Sequence, residues 1–282
     1  MSMRSKAGGS TDSVDESRRS FLKGAMLSLF SVAIGGISLE RFFVPTTRNV
    51  PVTSYNGKYP TALLVDPDNN PITASEIPYA IPSSSSYPIL VFNYPLQDEP
   101  NILIKLRNVI IPNAIHIKNS EGGTDSITAY SGICQHLGCT VPLLDYHPGN
   151  SIPFEAQLIG YTKSNWPTYG LIYCKCHGSQ YDPVRGPHNL YNSGPAPSPA
   201  NHSLPQVLFY HDTTTDYLYA VGMNPVNAVI RTHLWQPNGE VYGPEVVEEN
   251  LSGGTALPYD NTIGNYKTVV VSSSNFKWSG RF

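Results

Sequence analysis

Short hydrophobic runs separated by turn-forming residues dominate the chain after residue 60. The runs are rich in Val, Ile, Leu, Tyr and Phe, and the clusters between them are rich in Pro, Gly, Asn, Asp and Ser. This pattern predicts β-strands at 61–65, 87–94, 101–111, 158–161, 169–173, 206–210, 217–223, 228–231 and 267–271. Turns or loops are predicted at 66–71, 83–86 and 194–199. The predicted fold class is all-β.

The N-terminal 44 residues follow a different pattern. A polar stretch ends in Ser17-Arg-Arg-Ser-Phe-Leu-Lys23, which resembles the twin-arginine export signal. The 16 residues from Gly24 to Leu39 then carry no charge, and no Ala-x-Ala cleavage site follows them. We therefore expect a cytoplasmic tail at 1–23 and a retained transmembrane helix at 24–44, with the rest of the chain on the outer face of the cell membrane. A cleaved signal peptide and a soluble product are the alternative.

Composition narrows the class of protein further. The chain has 25 Pro and 23 Gly in 282 residues, which argues against a helical bundle. Its formal net charge is -3 and no basic block follows residue 25, so nucleic acid is not an expected partner. Charged residues make up 14%, against about 25% in an average soluble domain, which suggests an acidic exterior. Prolines and polar residues at 45–60 predict a flexible tether before a head domain at 61–282.

All four cysteines lie in two short boxes that also contain histidine. The first box is Cys134-Gln-His-Leu-Gly-Cys139 and the second is Cys174-Lys-Cys-His-Gly-Ser179. In an exported protein four cysteines can form two structural disulfides. Two thiolates and two imidazoles can instead hold a zinc ion in Cys2His2 geometry. From the residues alone, both the disulfide and the zinc interpretation remain open.

A third interpretation comes from the resemblance of the two boxes to the motifs of a known family. The boxes resemble the C-x-H-x-G-C and C-x-C-H-G-S motifs of Rieske iron-sulfur proteins of the respiratory type, whose [2Fe-2S] cluster has two Cys and two His ligands. The resemblance implies an antiparallel β-sandwich with a small cluster-binding subdomain at about 130–200. It implies that Cys134 and Cys174 ligate the buried iron and that His136 and His177 ligate the outer iron. The remaining pair, Cys139 and Cys176, would form a disulfide between the loops, which Rieske oxygenases lack.

The flanking residues extend the resemblance. Ser179 and Tyr181 match hydroxyls that donate hydrogen bonds to the cluster and to a ligand sulfur, and such donors raise the potential. Leu137 matches an apolar shield, and 194–197 matches a proline loop over the cluster. Two features depart from the family. Lys175 stands where the family commonly has Pro, so we expect a less rigid and more positive loop, and the segment 140–173 is long enough to be an inserted loop or hairpin.

The resemblance implies a redox subunit of a quinol-oxidising cytochrome bc-type complex that is not catalytic alone. It implies His177 and His136 at the reaction edge, a cytochrome b-like partner with quinol, and a haem or copper-protein electron acceptor. The low charge suggests the version found in archaeal thermoacidophiles. The alternatives are the Rieske subunit of a molybdenum oxidase of the arsenite oxidase type, a soluble redox carrier, and a zinc-stabilised β-module without redox function.

Overall fold

A computed structural model describes residues 59–81, 87–188, 194–200, 202–224 and 255–277 of the chain. These residues all belong to the unit Thr47–Phe282. The predicted export signal, the predicted anchor at 24–44, the strand predicted at 228–231 and all of the tether except its last two residues lie outside them. Among the described residues, no helix has the length and apolar character needed to span a membrane.

The described residues are nearly all β-structure, as predicted. The strands are β1 (Ala62–Val65), β2 (Leu90–Asn93), β3 (Pro100–Leu106), β4 (Ile115–Lys118), β5 (Thr124–Ser131), β6 (Leu144–His147), β7 (Leu171–Cys174), β8 (Gln180–Tyr181), β9 (Gln206–Asp212), β10 (Tyr217–Asn224), β11 (Tyr259–Asp260), β12 (Asn265–Val269) and β13 (Val271–Ser272). Helical structure in the described ranges is limited to α1 (Phe154–Leu158) and a 3-10 helix at Pro183–His188.

Ten of these strands form one sheet that folds back on itself. Its order is β11-β12-β1-β10-β9-β5-β3-β2-β13, with β4 paired to β5 beside this path. Only Val270 separates β12 from β13, although these strands lie near opposite ends of the sheet, so the two ends must come together. The Thr268 hydroxyl donates to Asn93 O across this closure. The sheet thereby encloses an apolar interior that includes Leu64, Phe92 and Leu103, as a sandwich requires.

The pairing is antiparallel between the described strands with one exception. β1 and β12 run parallel, with Ala62 opposite Tyr266 and Val65 opposite Val269. The predicted antiparallel β-sandwich therefore contains one parallel pair, which the prediction did not include. A parallel pair needs a long crossover connection, and nearly the whole head domain separates these two strands in the sequence.

A second core fixes a small sheet against the outer face of the large one. The small sheet has the order β6-β7-β8. Ile102 and Ile104 of β3 pack with Leu144 of β6, Ile172 of β7 and Tyr181 of β8 in one buried cluster. β3 is buried along its whole length, because it contributes side chains to both cores. Cys134 and Cys174 belong to the second core, so the packing of the two sheets positions the cysteine boxes.

The segment 140–173 is a strand pair that carries a short helix. β6 and β7 pair antiparallel at its two ends, and α1 lies between them. The strand predicted at 158–161 is wrong, because Pro153 begins a helical turn in which only Ala156 is buried. Phe154 and Leu158 remain exposed on that turn, so their hydrophobicity does not mark a buried strand.

The residues of β4, β5 and β6 form strands that the hydrophobic pattern did not predict. β5 is the clearest case, because it is buried from its second residue onward although it contains Asp125, Ser126 and Thr128. The Ser126 hydroxyl donates to Val109 O and accepts from the Ile111 N–H. Buried polar side chains are tolerated when they find such partners.

The small sheet also buries two titratable groups, a carboxyl and an imidazole, and shifts their pKa values in opposite directions. Burial raises the pKa of Asp145 to about 7, against smaller opposing effects of the Tyr146 N–H and the Lys175 charge. Burial and the Lys175 charge lower the pKa of His147 to about 4. The folded state therefore disfavours the charged form of each group.

The Asp145 carboxyl should make the folded state less stable as pH rises. Its folded pKa of about 7 exceeds the ordinary value of 3.8, so the unfolded chain loses the proton first. Stability from this group is full below pH 4 and falls by roughly 3–4 kcal/mol up to pH 7. We expect Asp145→Asn to gain stability relative to wild type between pH 4.5 and pH 8, as measured by urea unfolding at both pH values.

Asp260→Asn is the matched control for this substitution. Hydrogen bonds from Thr262 lower the pKa of the partly exposed Asp260 to about 2, so its ionisation lies below the tested range. Its stability difference from wild type should be the same at both pH values. An Asp145→Asn difference that is equally flat would contradict the raised pKa.

Candidate metal centre

The two cysteine boxes fold into loops with the same hydrogen-bond pattern. In the first loop the Gly138 N–H donates to Cys134 O and the Cys134 N–H donates to Cys139 O. In the second the Gly178 N–H donates to Cys174 O and the Cys174 N–H donates to Ser179 O. Each loop thus reverses within six residues, with its first cysteine anchored at both backbone groups.

A glycine permits each reversal. Gly138 has a φ of 74° and Gly178 a φ of 82°, which lie in the left-handed region that side chains with a Cβ disfavour. Both glycines hold the fifth position of their loop. The glycine in each motif is therefore required by the backbone of the loop.

The loops bring the predicted sulfur ligands together in the core. Cys134 and Cys174 are both free thiols and each is only 1% exposed. Their sulfur atoms share a hydrogen bond, which lowers the pKa of Cys134. The same bond, together with burial, raises the pKa of Cys174. The hydrogen bond between the two sulfurs thus shifts the pKa values of the two thiols in opposite directions.

The predicted histidine ligands lie together at the surface end of the loops. The rings of His136 and His177 are in contact, with centroids 5.1 Å apart and an interplanar angle of 89°. His136 is partly exposed and His177 is exposed. The four predicted ligands thus form two pairs at different depths, with sulfur inside and imidazole at the rim.

Cys139 and Cys176 are joined in a disulfide, the pairing that the resemblance implies. The bond ties the end of the first loop to the middle of the second. The sulfur atoms of Cys139, Cys174 and Cys176 all lie within 4.8 Å of one another. Because two of these sulfurs form the disulfide, only Cys174 in this trio has a free sulfur that could bind a metal.

Tyr181 aims its hydroxyl at the buried sulfur pair. The hydroxyl oxygen lies 3.4 Å from Cys134 Sγ and accepts the Gln135 N–H at 3.0 Å. Since its oxygen already accepts, its hydrogen is left to donate to the sulfur. Burial and the neighbouring Cys134 raise the pKa of Tyr181 well above 10.0, so the donor keeps its proton.

Ser179 places a second hydroxyl at the same sulfur. Its oxygen is buried without a hydrogen-bond partner of normal geometry, yet it lies near enough to lower the pKa of Cys134. A buried hydroxyl without a partner is rare in folded proteins. A group bound at the loops would give this hydroxyl an acceptor.

Two further predicted features have mixed outcomes. Leu137 is partly exposed next to His136, where the resemblance expects a shield. Lys175 is held by its backbone, because its N–H donates to Leu143 O at 2.8 Å. A proline has no N–H to make this bond. This hydrogen bond ties the loop to the segment 140–173, and the expectation of a less rigid loop stays a prediction.

The sequence patterns missed several residues that surround the loops. Gln180, Tyr161 and Ser198 are joined by hydrogen bonds beside the second loop. Gln180 stands between two predicted site residues, and in a strand its side chain points to the opposite face from theirs. This alternation distinguishes Gln180 from its two neighbours, but no motif in the sequence indicates that it bonds to Tyr161 and Ser198.

No protein-family model matches the sequence. Among solved structures, the chain is similar to the soluble domain of the Rieske protein II (soxF) from Sulfolobus acidocaldarius, at 26% sequence identity and a TM-score of 0.36. The match covers 59% of this chain and 79% of that chain. The case for a function rests on the geometry of the two loops.

The disulfide should contribute strongly to the stability of the head domain. It links residues separated by 37 positions, and closing a loop of that length restricts the unfolded chain by about 3–4 kcal/mol. We expect a Cys139→Ala/Cys176→Ala double variant to lose that amount in urea unfolding. Reductant should destabilise the wild type but leave the double variant unchanged. Equal stability of the two proteins under oxidising conditions would contradict this role.

Proposed function

We propose that the chain is an electron-transfer protein whose two loops hold one [2Fe-2S] cluster of Rieske type. Cys134 and Cys174 would bind one iron, and His136 and His177 would bind the other. The observation that carries the proposal is the separation of these residues into a buried sulfur pair and a surface imidazole pair on two loops of the same design.

The residues around the loops fit such a group. A cluster with two sulfur and two nitrogen ligands needs free thiols, and both Cys134 and Cys174 are free. Bridging sulfides accept hydrogen bonds, and the buried Ser179 hydroxyl has no other partner of normal geometry. When bound, the cluster supplies a site that takes up and releases one electron.

The chain's own residues tune the reduction potential of that site. The hydroxyls of Ser179 and Tyr181 donate towards sulfur, and such donors stabilise the more negative state. The Cys139–Cys176 disulfide ties the two loops together, with its sulfurs within 4.8 Å of Cys174 Sγ. These features favour a high potential and therefore a respiratory rather than an oxygenase role.

The exposed His177 is the proposed contact with the electron donor. Its ring lies at the rim, whereas the sulfur pair is buried, so an approaching molecule meets the imidazole first. We propose that quinol donates a hydrogen bond to this ring and that His177 holds the proton that accompanies the electron. His136 lies in edge contact with this ring, with the ring centroids 5.1 Å apart.

We extend the proposal to the complex and the membrane in which the chain would act. The head would serve as a redox subunit of a quinol-oxidising cytochrome bc-type complex, on the outer face of a membrane to which residues 24–44 anchor it. A cytochrome b-like subunit would present the quinol, and a haem or copper protein would receive the electron. The S-R-R-x-F-L-K string at residues 17–23 supports this setting, because twin-arginine export carries folded proteins.

Electron paramagnetic resonance of the purified full chain tests the proposal directly. We expect a rhombic Rieske-type signal after reduction with ascorbate, because a cluster with donor hydroxyls should have a high potential. A signal that appears only with dithionite would contradict the respiratory role. Silence of metal-containing protein with both reductants would favour zinc and overturn the electron-transfer function.

A pair of histidine variants locates the signal. His177→Ala should lose the rhombic signal, because it removes one ligand. His202→Ala removes an exposed histidine outside the loops and should keep the wild-type spectrum. Loss of the signal in both variants would mean that the effect is not specific to the loop.

Tyr181→Phe should lower the reduction potential while the iron content stays unchanged. The substitution removes the hydroxyl that lies 3.4 Å from Cys134 Sγ. Loss of one such bond costs the reduced state about 1 kcal/mol, or roughly 40 mV for one electron. The control is Tyr130→Phe, since the equally buried Tyr130 donates to Pro183 O instead. A potential that is the same in both variants, as measured by redox titration, would contradict the role of Tyr181.

A further inference from the structure

Gln180 joins three separate segments next to the exposed His177. Its side-chain Nε2 donates to Gly178 O and to Ala196 O, both at 3.1 Å. Its Oε1 accepts from the Tyr161 hydroxyl, and its backbone N–H donates to the Ser198 hydroxyl at 3.1 Å. The residue is fully buried. One amide therefore connects the second loop, the 194–198 segment and the segment 140–173.

The chemistry of the partners fixes which way this amide faces. Two carbonyl oxygens meet one end of the amide, and only an NH2 group donates to both. The other end meets a hydroxyl that donates to it. Tyr161 thus completes the set, and without its hydroxyl the Oε1 of Gln180 would be buried without a donor, which is costly.

Two glycines allow these segments to approach closely. A Cβ on Gly194 would clash with the Tyr161 hydroxyl and would lie 3.0 Å from Gln180 Oε1. A Cβ on Gly160 would come within 3.1 Å of Pro195 Cβ. The 194–198 segment therefore packs directly on the Tyr161–Gln180 hydrogen bond.

We infer that Gln180 is a positioning residue that fixes the His177 loop against the 194–198 segment, and that Tyr161 orients its amide. This assigns a role to the segment 140–173, which supplies Tyr161. The inference rests on the proposed function only for its consequence, namely that His177 is held in one orientation for its redox partner. The hydrogen-bond network itself involves none of the four proposed ligands.

Hydrogen exchange of the full chain as purified, followed by mass spectrometry, tests the network. The Gly178 N–H is bonded to Cys174 O, so its exchange reports opening of the His177 loop. Tyr161→Phe should speed exchange in peptides covering 175–183 and 194–200 by about five- to tenfold. Gln180→Glu should have a larger effect, because a carboxylate cannot donate to Gly178 O and Ala196 O.

Tyr146→Phe is the matched control. Tyr146 is equally buried, but its hydroxyl donates to Tyr169 O, away from this network. It should leave exchange at 175–183 and 194–200 within twofold of wild type. If Tyr161→Phe also stays within twofold, the inference is wrong. If Gln180→Glu does not fold, Tyr161→Phe decides alone.

A spectroscopic readout separates positioning from general stability. In the cluster-containing protein, Tyr161→Phe and Gln180→Glu should shift or broaden the rhombic g-values and change how the reduction potential varies with pH, whereas Tyr146→Phe should not. Wild-type spectra and wild-type pH dependence in both network variants would overturn the positioning role. A wild-type protein without any cluster signal would overturn the proposed function, while the exchange result would still decide whether Gln180 fixes the loop.

Discussion

The candidate site depends on one backbone constraint, the reversal of each cysteine loop within six residues. The N–H of a glycine must reach back to the carbonyl of the first cysteine, as Gly138 does to Cys134 and Gly178 does to Cys174. Both glycines have positive φ, so another residue there would strain the turn. With each first cysteine anchored in this way, the following residues are carried outwards, and the histidines reach the surface while the cysteines stay buried. The depth difference between sulfur and imidazole is thus a property of the turn itself.

The cysteines also act as core residues. Cys134 and Cys174 pack with Ile102, Tyr146 and Ile172 in the core between the two sheets. A site built on this core is rigid, because close-packed interiors resist small displacements. It also lies in a medium of low dielectric constant, in which a hydrogen bond to sulfur is stronger than in water. The Tyr181 hydroxyl therefore gains influence from the same burial that raises its pKa.

The sequence predicts those parts of the molecule whose local signals agree with their tertiary environment. Branched and aromatic runs predict β1, β7, β9 and β10, and the resemblance carried by the cysteine boxes implies which of their side chains meet. β5 escapes prediction because Asp125 and Ser126 are buried through hydrogen bonds with distant residues. The hydrophobic pattern does not predict helix α1, because its apolar residues Phe154 and Leu158 are exposed. The Cys139–Cys176 pairing is implied only by family resemblance, and the Tyr161–Gln180 contact joins residues 19 positions apart without any pattern that links them.

The segment 140–173 supports the second loop where the chain departs from the family it resembles. The respiratory Rieske family commonly has proline at the position of Lys175, and a proline fixes φ by its ring. In this chain the Lys175 N–H instead donates to Leu143 O, and Leu143 belongs to that segment. Its aromatic residues Tyr161, Trp166 and Tyr173 pack together in a separate buried cluster, and a Cβ on Gly178 would lie 3.3 Å from the Tyr173 hydroxyl. Contacts from the segment thus restrain this loop at the position where a proline would restrain it covalently.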